Sequence, residues 1–335
     1  MFRLATFNVE NLGGEPRDGP SLVARIAVLR PQLLRLRADI VCLQEVDARR
    51  PEGGGTRGLA ALDAVLDGTP FAGFGRAVTT GPSGLGPADA HNQVVLSRFP
   101  IRAVRQVLHD AVTPPAYEAT TAEPAAGPQP VRWDRPVLCV TVDLPGGAAL
   151  HLVALHLKAP TAANVPGQKI APLVWRTVPG WAEGMFLAAA KRAGQAFEAR
   201  LVVDGVFDRD PGALIAVCGD VNATDGELPM RILVADELDT GNGALAYRAL
   251  VPVERSVPES QRFSVIHGGR RQLLDHILVS RALLGWFRGI EIHNEDLGDE
   301  IAMHYGVRGP PESLHAPLVA TFEDPAASEA RLPVR

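Results

Sequence analysis

Short apolar runs alternate with helix-spaced stripes along almost the whole chain. Phe2–Val9 reads as a strand. Leu22, Ile26, Leu29, Leu33 and Leu36 then step by four, three, four and three, which puts them on one helix face. Pro31 lies inside that stripe, so a kink or a restart is expected there. Asp39–Glu45 reads as the next strand and Leu59–Leu66 as a short helix. Val94–Ser97 and Ile101–His109 read as strands separated at Pro100. Pro136–Leu144 and Ala149–Leu157 form an expected hairpin across Pro145-Gly146-Gly147. Trp181–Asp204 has helical spacing, and Leu214–Gly219, Phe263–Ile266, Leu273–Ser280 and Leu318–Phe322 read as strands. Residues 111–130 and 159–180, rich in Pro, Ala and Thr, read as loops, the first as the more mobile. No repeat and no break in composition divides the chain, so a single α/β domain over residues 1–335 is expected.

Polar residues gather in five short segments that end apolar strands and in a sixth that precedes the final strand. They lie in Thr6-Phe7-Asn8-Val9-Glu10-Asn11, Leu43-Gln44-Glu45-Val46, Leu155-His156-Leu157-Lys158, Cys218-Gly219-Asp220-Val221-Asn222, Leu274-Asp275-His276 and Ser313-Leu314-His315-Ala316-Pro317. Strand alternation sorts them. Asp220 and Asn222 share a face and are expected to point at one ligand. His156 and Lys158 share a face opposite His151. Asp275 and His276 face opposite ways, so only one of them enters a given site.

Composition narrows the chemistry. At 335 residues and 46% hydrophobic, the chain can bury a core without disulfides or structural metal, and it is not disordered. Cys42, Cys139 and Cys218 sit in apolar runs and read as core residues. Among 33 basic residues only Lys158, Lys169 and Lys191 are lysines, and the net charge of −5 argues against a general polyanion binder. No apolar run is long enough to span a membrane, no membrane-binding apolar loop is evident, and no secretion signal opens the chain. A cytoplasmic protein without a membrane span is expected, and no protein partner is predicted.

Asn, Glu, His and Asp at strand ends suit metal-assisted phosphoester hydrolysis. A hard cation such as Mg²⁺, with Mn²⁺ as the substitute, takes oxygen from carboxylates and the substrate phosphate. Asn8 and Glu45 are the candidate ligands. Asp220 suits activation of water, His156 and His315 suit donation to the phosphate, and Asp275 suits orientation of His315.

In this order the motifs resemble the endonuclease/exonuclease/phosphatase superfamily, also called deoxyribonuclease I-like. TFNVENL, LQEV, LSRFPI, LHLK, GDVNA, LLDHILVS and LHAPLVA follow the family order from Thr6 to Phe322. The resemblance implies a four-layer α/β sandwich: two mostly antiparallel sheets packed face to face, with helices outside. It makes Asn8 and Glu45 metal-site residues, and His156, Asp220, Asn222, Asp275 and His315 catalytic. Asn222 and His156 also contact phosphate, and Asn92, just before LSR, is a further substrate-binding candidate. The implied activity is metal-dependent phosphodiester hydrolysis by in-line attack of water, first of all on nucleic acid. A phosphomonoesterase or lipid phosphodiesterase is the alternative.

One departure stands out. Family members usually carry Asp where this chain has Leu314, so a ligand is missing and a weakened or non-catalytic phosphate-binding relative enters as a further alternative. Asp299 and Glu300 are the candidates to compensate. Arg132 and Arg135 are weaker candidates for phosphate contact. Trp175 and Trp181 read as core residues. His91, His109, His267, His293 and His304 lack ligand-like spacing and are assigned, with His276, to structure or surface.

Overall fold

Twelve strands build the framework of the computed structural model, which describes residues 1–14, 19–51, 54–304 and 313–325. In chain order they are β1 (Phe2–Leu12), β2 (Ile40–Val46), β3 (Gly75–Val78), β4 (Asn92–Ser97), β5 (Ile101–Val107), β6 (Val137–Asp143), β7 (Ala149–His156), β8 (Leu214–Asp220), β9 (Val251–Pro252), β10 (Asp275–Val279), β11 (Phe287–Ile292) and β12 (Leu318–Phe322). One six-stranded sheet runs β11-β12-β1-β2-β4-β3, and the other β9-β10-β8-β7-β6-β5. Each has one parallel pair at its centre, β1 with β2 and β8 with β7. Every other pairing in these sheets is antiparallel.

Alternation decides what each strand buries. Leu4, Ile40, Cys42 and Val95 of one sheet meet Leu152, Ala216, Cys218 and Ile277 of the other. The intervening residues face helices. Ala5, Phe7 and Val41 pack under α1 (Leu22–Leu36) and α2 (Ala60–Leu66). Val153, Leu155 and Val217 pack under α3 (Val178–Phe207) and α4 (Leu228–Val234). The four layers are helices, sheet, sheet, helices. Cys42 and Cys218 are buried in the middle, and Cys139 is half-buried.

Several sequence expectations change. α1 runs as one helix through Pro31, ending on Arg37 in the left-handed conformation. α3 begins three residues before Trp181, capped by the Thr177 hydroxyl on Gly180 N, and continues to Phe207. Part of the 111–130 loop is hydrogen-bonded to α3. The Glu183 carboxylate of α3 accepts from Tyr117 Oη at 2.9 Å, Thr120 N at 2.6 Å and Thr121 N at 2.8 Å. Within 159–180, Lys169–Ala171 pairs with Val174–Trp175. That hairpin exposes Ile170 and Leu173 at 65% and 73%, so an apolar loop does face solvent. Trp181 is exposed rather than in the core. Among the described residues no helix is long and apolar enough to cross a membrane.

Candidate active site

The central strands of the two sheets end together, and their backbones depart from regular β there. The parallel pairing of β1 with β2 shifts register between Asn8 and Leu12, where Glu10 and Asn11 adopt positive φ. Such bulges re-aim side chains. Arg25 of α1, nearly fully buried, fixes this one by donating to Glu10 O at 2.6 Å and to Val9 O. On β2, strict alternation would send Glu45 outward with Leu43, but its φ of 60° turns the carboxylate toward Asn8. On β8, Gly219 permits a close approach to β7. A Cβ there would stand 1.8 Å from Leu155 O.

These departures assemble one cluster. Asn8, Glu45, His156, Asp220, Asp275 and His315 come together between the sheets. The Asn8 amide nitrogen lies 3.2 Å from Glu45 Oε1 and 3.1 Å from Asp220 Oδ2, joining a carboxylate of each sheet. His156 Nε2 is 3.7 Å from Glu45 Oε1 and 3.5 Å from Asp220 Oδ2. His315 Nδ1 is 2.8 Å from Asp275 Oδ2, and its Nε2 is 4.0 Å from Asp220 Oδ2. Ser313 Oγ accepts from His315 N at 3.0 Å and donates to Asn8 O at 2.6 Å, tying the last motif to the first.

Asn222 sits differently from the alternation argument. β8 ends at Asp220, and Asn222 has φ 52°, so the two do not share a strand face. Its N–H donates to Asp220 Oδ1 at 2.8 Å and its side-chain amide to Leu157 O at 3.1 Å. It steadies Asp220 through the backbone. His276 points away from the cluster, as parity requires, to Glu254 Oε1 at 2.6 Å and Ala223 O at 2.9 Å. Lys158 lies past the end of β7 and turns to Thr161.

Two neighbours exchange their expected parts. Asn92, a substrate-binding candidate, has its amide group fully engaged within the fold. It donates to Val46 O at 2.9 Å and Ala88 O at 2.8 Å, and accepts from Ala88 N and Thr79 Oγ. It therefore braces a loop. His91, assigned to structure or surface, has its Nδ1 3.8 Å from Glu45 Oε2. No sequence spacing links residues 45 and 91; only the pairing of β2 with β4 brings them together.

The two carboxylates expected to compensate for Leu314 are engaged elsewhere. Asp299 accepts from Gly268 N, Gly269 N and Ile301 N, and Glu300 lies 2.7 Å from His267. Glu10 instead accepts from Leu314 N at 3.0 Å, beside the position that lacks Asp. Arg135 donates to Leu157 O at 3.1 Å and adds positive potential near Glu45 and Asp220. The side chain of His304 lies outside the described residues.

Burial and charge set the protonation states. Burial pushes the Asp220 carboxyl up to about 7, against the pull of His315. Burial opposes the His315 imidazolium, but Asp275 and Asp220 outweigh it and raise its pKa to about 10. Burial, with Arg135 adding, keeps His156 neutral well below its usual pKa. Burial raises Glu10. The donor set fits a divalent cation. Glu45, His91 and His156, and separately Asp220, Asp275 and His315, each bring ligand atoms within 4.8 Å of one another.

A two-sheet α/β sandwich with carboxylates and histidines converging at one end defines the class. The model of the Endonuclease/Exonuclease/phosphatase family matches residues 5–299, and the chain belongs to that family. The match stops short of His315. Truncated Caenorhabditis elegans TDP2 is similar over 96% of this chain and 97% of its own, with TM-score 0.55 and 15% identity. An AP endonuclease from Archaeoglobus fulgidus covers 97% and 100%, with TM-score 0.53 and 14% identity. The 3′ phosphatase NExo from Neisseria, bound to product DNA hairpin, covers 97% and 100%, with TM-score 0.54 and 16% identity. At these identities the likeness is one of fold. No curated protein matches the chain in sequence.

Proposed function

We propose that the chain is a metal-dependent phosphodiester hydrolase acting by in-line attack of water, with nucleic acid as its substrate. One observation carries the reading. The Asn8 amide joins Glu45 of one sheet to Asp220 of the other, and the imidazoles of His156 and His315 face the same point. Buried carboxylates this close are costly unless a cation or a transferred proton resolves the charge.

Asp220 is the base. With its carboxyl raised to about 7 it can take a proton from water near neutrality as the water oxygen attacks phosphorus. His315, held by Asp275 at 2.8 Å and cationic, donates a hydrogen bond to the charge developing on the phosphoryl oxygens. His156 is neutral and donates or ligates without adding charge. Glu45 is the metal ligand, Asn8 positions it by donating from its amide nitrogen to Glu45 and Asp220, and Glu10 supplies the carboxylate absent at Leu314. When bound, the cation polarises a phosphoryl oxygen and stabilises the leaving oxygen. The residues do the rest by positioning.

Nucleic acid is the favoured substrate because the similar structures include an AP endonuclease and a phosphatase bound to DNA. A second reading, a hydrolase of small or lipid phosphoesters, draws on the net charge of −5 and the exposed Ile170 and Leu173. The test is hydrolysis of plasmid DNA and of a chromogenic phosphodiester with Mg²⁺ or Mn²⁺, beside Asp220→Ala. Plasmid cleavage that needs metal, falls steeply with salt and vanishes in the variant is expected. Turnover of the small diester alone supports the second reading. Cation-independent binding without turnover would leave a phosphate-binding relative.

A further inference from the structure

We propose that His91 and His156 flank Glu45 as imidazole ligands, so that this site prefers Mn²⁺, Co²⁺ or Zn²⁺ to Mg²⁺. The inference rests on the metal-dependent reading above and goes beyond it in the identity of the cation and in the role of His91.

The distances make the case. Glu45 Oε2 lies 3.8 Å from His91 Nδ1, and Glu45 Oε1 lies 3.7 Å from His156 Nε2. Both are too long for hydrogen bonds. The molecule shows what a simple histidine–carboxylate pair looks like here: 2.8 Å for His315 with Asp275 and 2.6 Å for His276 with Glu254. A cation at about 2.1 Å from each of two ligands holds them roughly 3.0–3.4 Å apart. The Glu45 pairs are a few tenths of an ångström wider than that. A small inward shift of each imidazole would bring the pairs to the spacing of neighbours around a common ion.

Two further features agree. His91 Nδ1, the ring atom that faces Glu45, is buried yet lacks a hydrogen-bond partner, although buried ring nitrogens are ordinarily satisfied. His156 as a whole is almost completely buried. His91 also holds a left-handed backbone, φ 55°, pinned where its N–H donates to Asp47 Oδ1 at 2.7 Å. Strain of this kind persists where surrounding structure enforces it, and sites are where it collects. Here it aims an imidazole at a carboxylate.

Ligand type then selects the ion. Mg²⁺ takes oxygen and keeps its waters, whereas imidazole suits the later divalent metals. One carboxylate between two imidazoles is a mixed set that discriminates against Mg²⁺.

The experiment compares wild type with His91→Asn, since Asn tolerates the left-handed backbone. Mg²⁺, Mn²⁺ and Co²⁺ are titrated by calorimetry, circular dichroism confirms folding, and pulsed EPR reads the Mn²⁺-loaded wild type. Wild type is expected to bind Mn²⁺ and Co²⁺ at least tenfold more tightly than Mg²⁺. Its EPR should show imidazole-nitrogen coupling. His91→Asn should lose about tenfold for Mn²⁺ and Co²⁺ and leave Mg²⁺ unchanged. Equal affinities for Mg²⁺ and Mn²⁺, or no nitrogen coupling, would overturn imidazole ligation even if metal-dependent hydrolysis stood. That spectrum decides the matter even if the variant does not fold. Absence of both cation binding and hydrolysis would sink the hydrolase reading as well.

Discussion

Asp275 and His276 are adjacent on β10, and each belongs to a histidine–carboxylate pair, but the two pairs do different work. His276 lies 2.6 Å from Glu254 and 2.9 Å from Ala223 O, with both residues of the pair buried. Two acceptors on two ring nitrogens require an imidazolium. Burial opposes that charge, and Glu254 outweighs it and raises the His276 pKa. Nothing in this pair is left to meet a substrate. Asp275, one residue away and on the opposite face, holds His315 at 2.8 Å while His315 Nε2 stays open toward Asp220. A satisfied pair fastens the loop after β8 through Ala223. An incompletely satisfied pair is available for chemistry. The difference lies in the second ring nitrogen.

Removing the open pair should have the largest effect. His315→Ala is expected to lower kcat by about 10²–10⁴-fold, the range typical of a lost acid, base or charge stabiliser. The fold should survive, because the His315 side chain belongs to the polar cluster and to none of the apolar cores. Steady-state kinetics beside a melting curve checks both halves. A variant that melts early would place His315 with the structural pair.

Breaking the closed pair should reverse that pattern. Glu254→Ala leaves the His276 cation buried without its carboxylate, which costs about 3–5 kcal/mol. Denaturant unfolding should show the loss, while the molecules still folded keep most of their kcat. A large fall in kcat at unchanged stability would make His276 a positioning residue for Asp220.

Solution pH should distinguish the pairs more gently. With Asp220 raised to about 7 and His315 to about 10, activity should rise as the first loses its proton and fall as the second does. The stability sign also follows. His315 has a folded pKa above its ordinary 6.5, so its contribution is fully present below that value and lost as pH rises through about 10. Asp275→Asn should move the alkaline limb to lower pH, because the neutral amide no longer supports the imidazolium and the His315 pKa falls. A pH–rate profile of wild type and variant reads this directly.

Much of this arrangement was legible in the strands themselves. His156 and Asp220 end apolar runs, Asp275 opens one and His315 precedes the last, and alternation sorted Asp275 from His276 and His156 from His151. What stayed hidden depends on broken alternation or on long-range pairing. Asn222 lost its expected face because the strand stops at Asp220 and the backbone turns left-handed. Glu45 reaches the site only through a positive φ that no residue pattern announces. His91 and Asn92 exchanged parts because partners from β2 and the Thr79–Ala88 region decide which is satisfied. Pro31 did not break its helix because the remaining turns of α1 and their packing under β1 outweigh one lost bond.

The smallest expected effect concerns Leu314, where sequence and structure meet most directly. An Asp at this position would normally bring a carboxylate, and here the backbone N–H of Leu314 holds one from Glu10 at 3.0 Å. Glu10 stands in a bulge fixed by Arg25, so its placement needs no side chain at 314. If Glu10 does this work, Glu10→Gln should weaken Mn²⁺ binding about tenfold, comparable to loss of a supporting ligand group. Leu314→Asp alone should change little, since a second carboxylate would crowd Glu10 and add repulsion beside Glu45. In the Glu10→Gln background the same substitution should restore most of the affinity. Calorimetry on the four combinations forms a double-mutant cycle whose coupling term isolates the exchange. Strict additivity would show that the two positions act separately and that Leu314 leaves a true gap in the metal site.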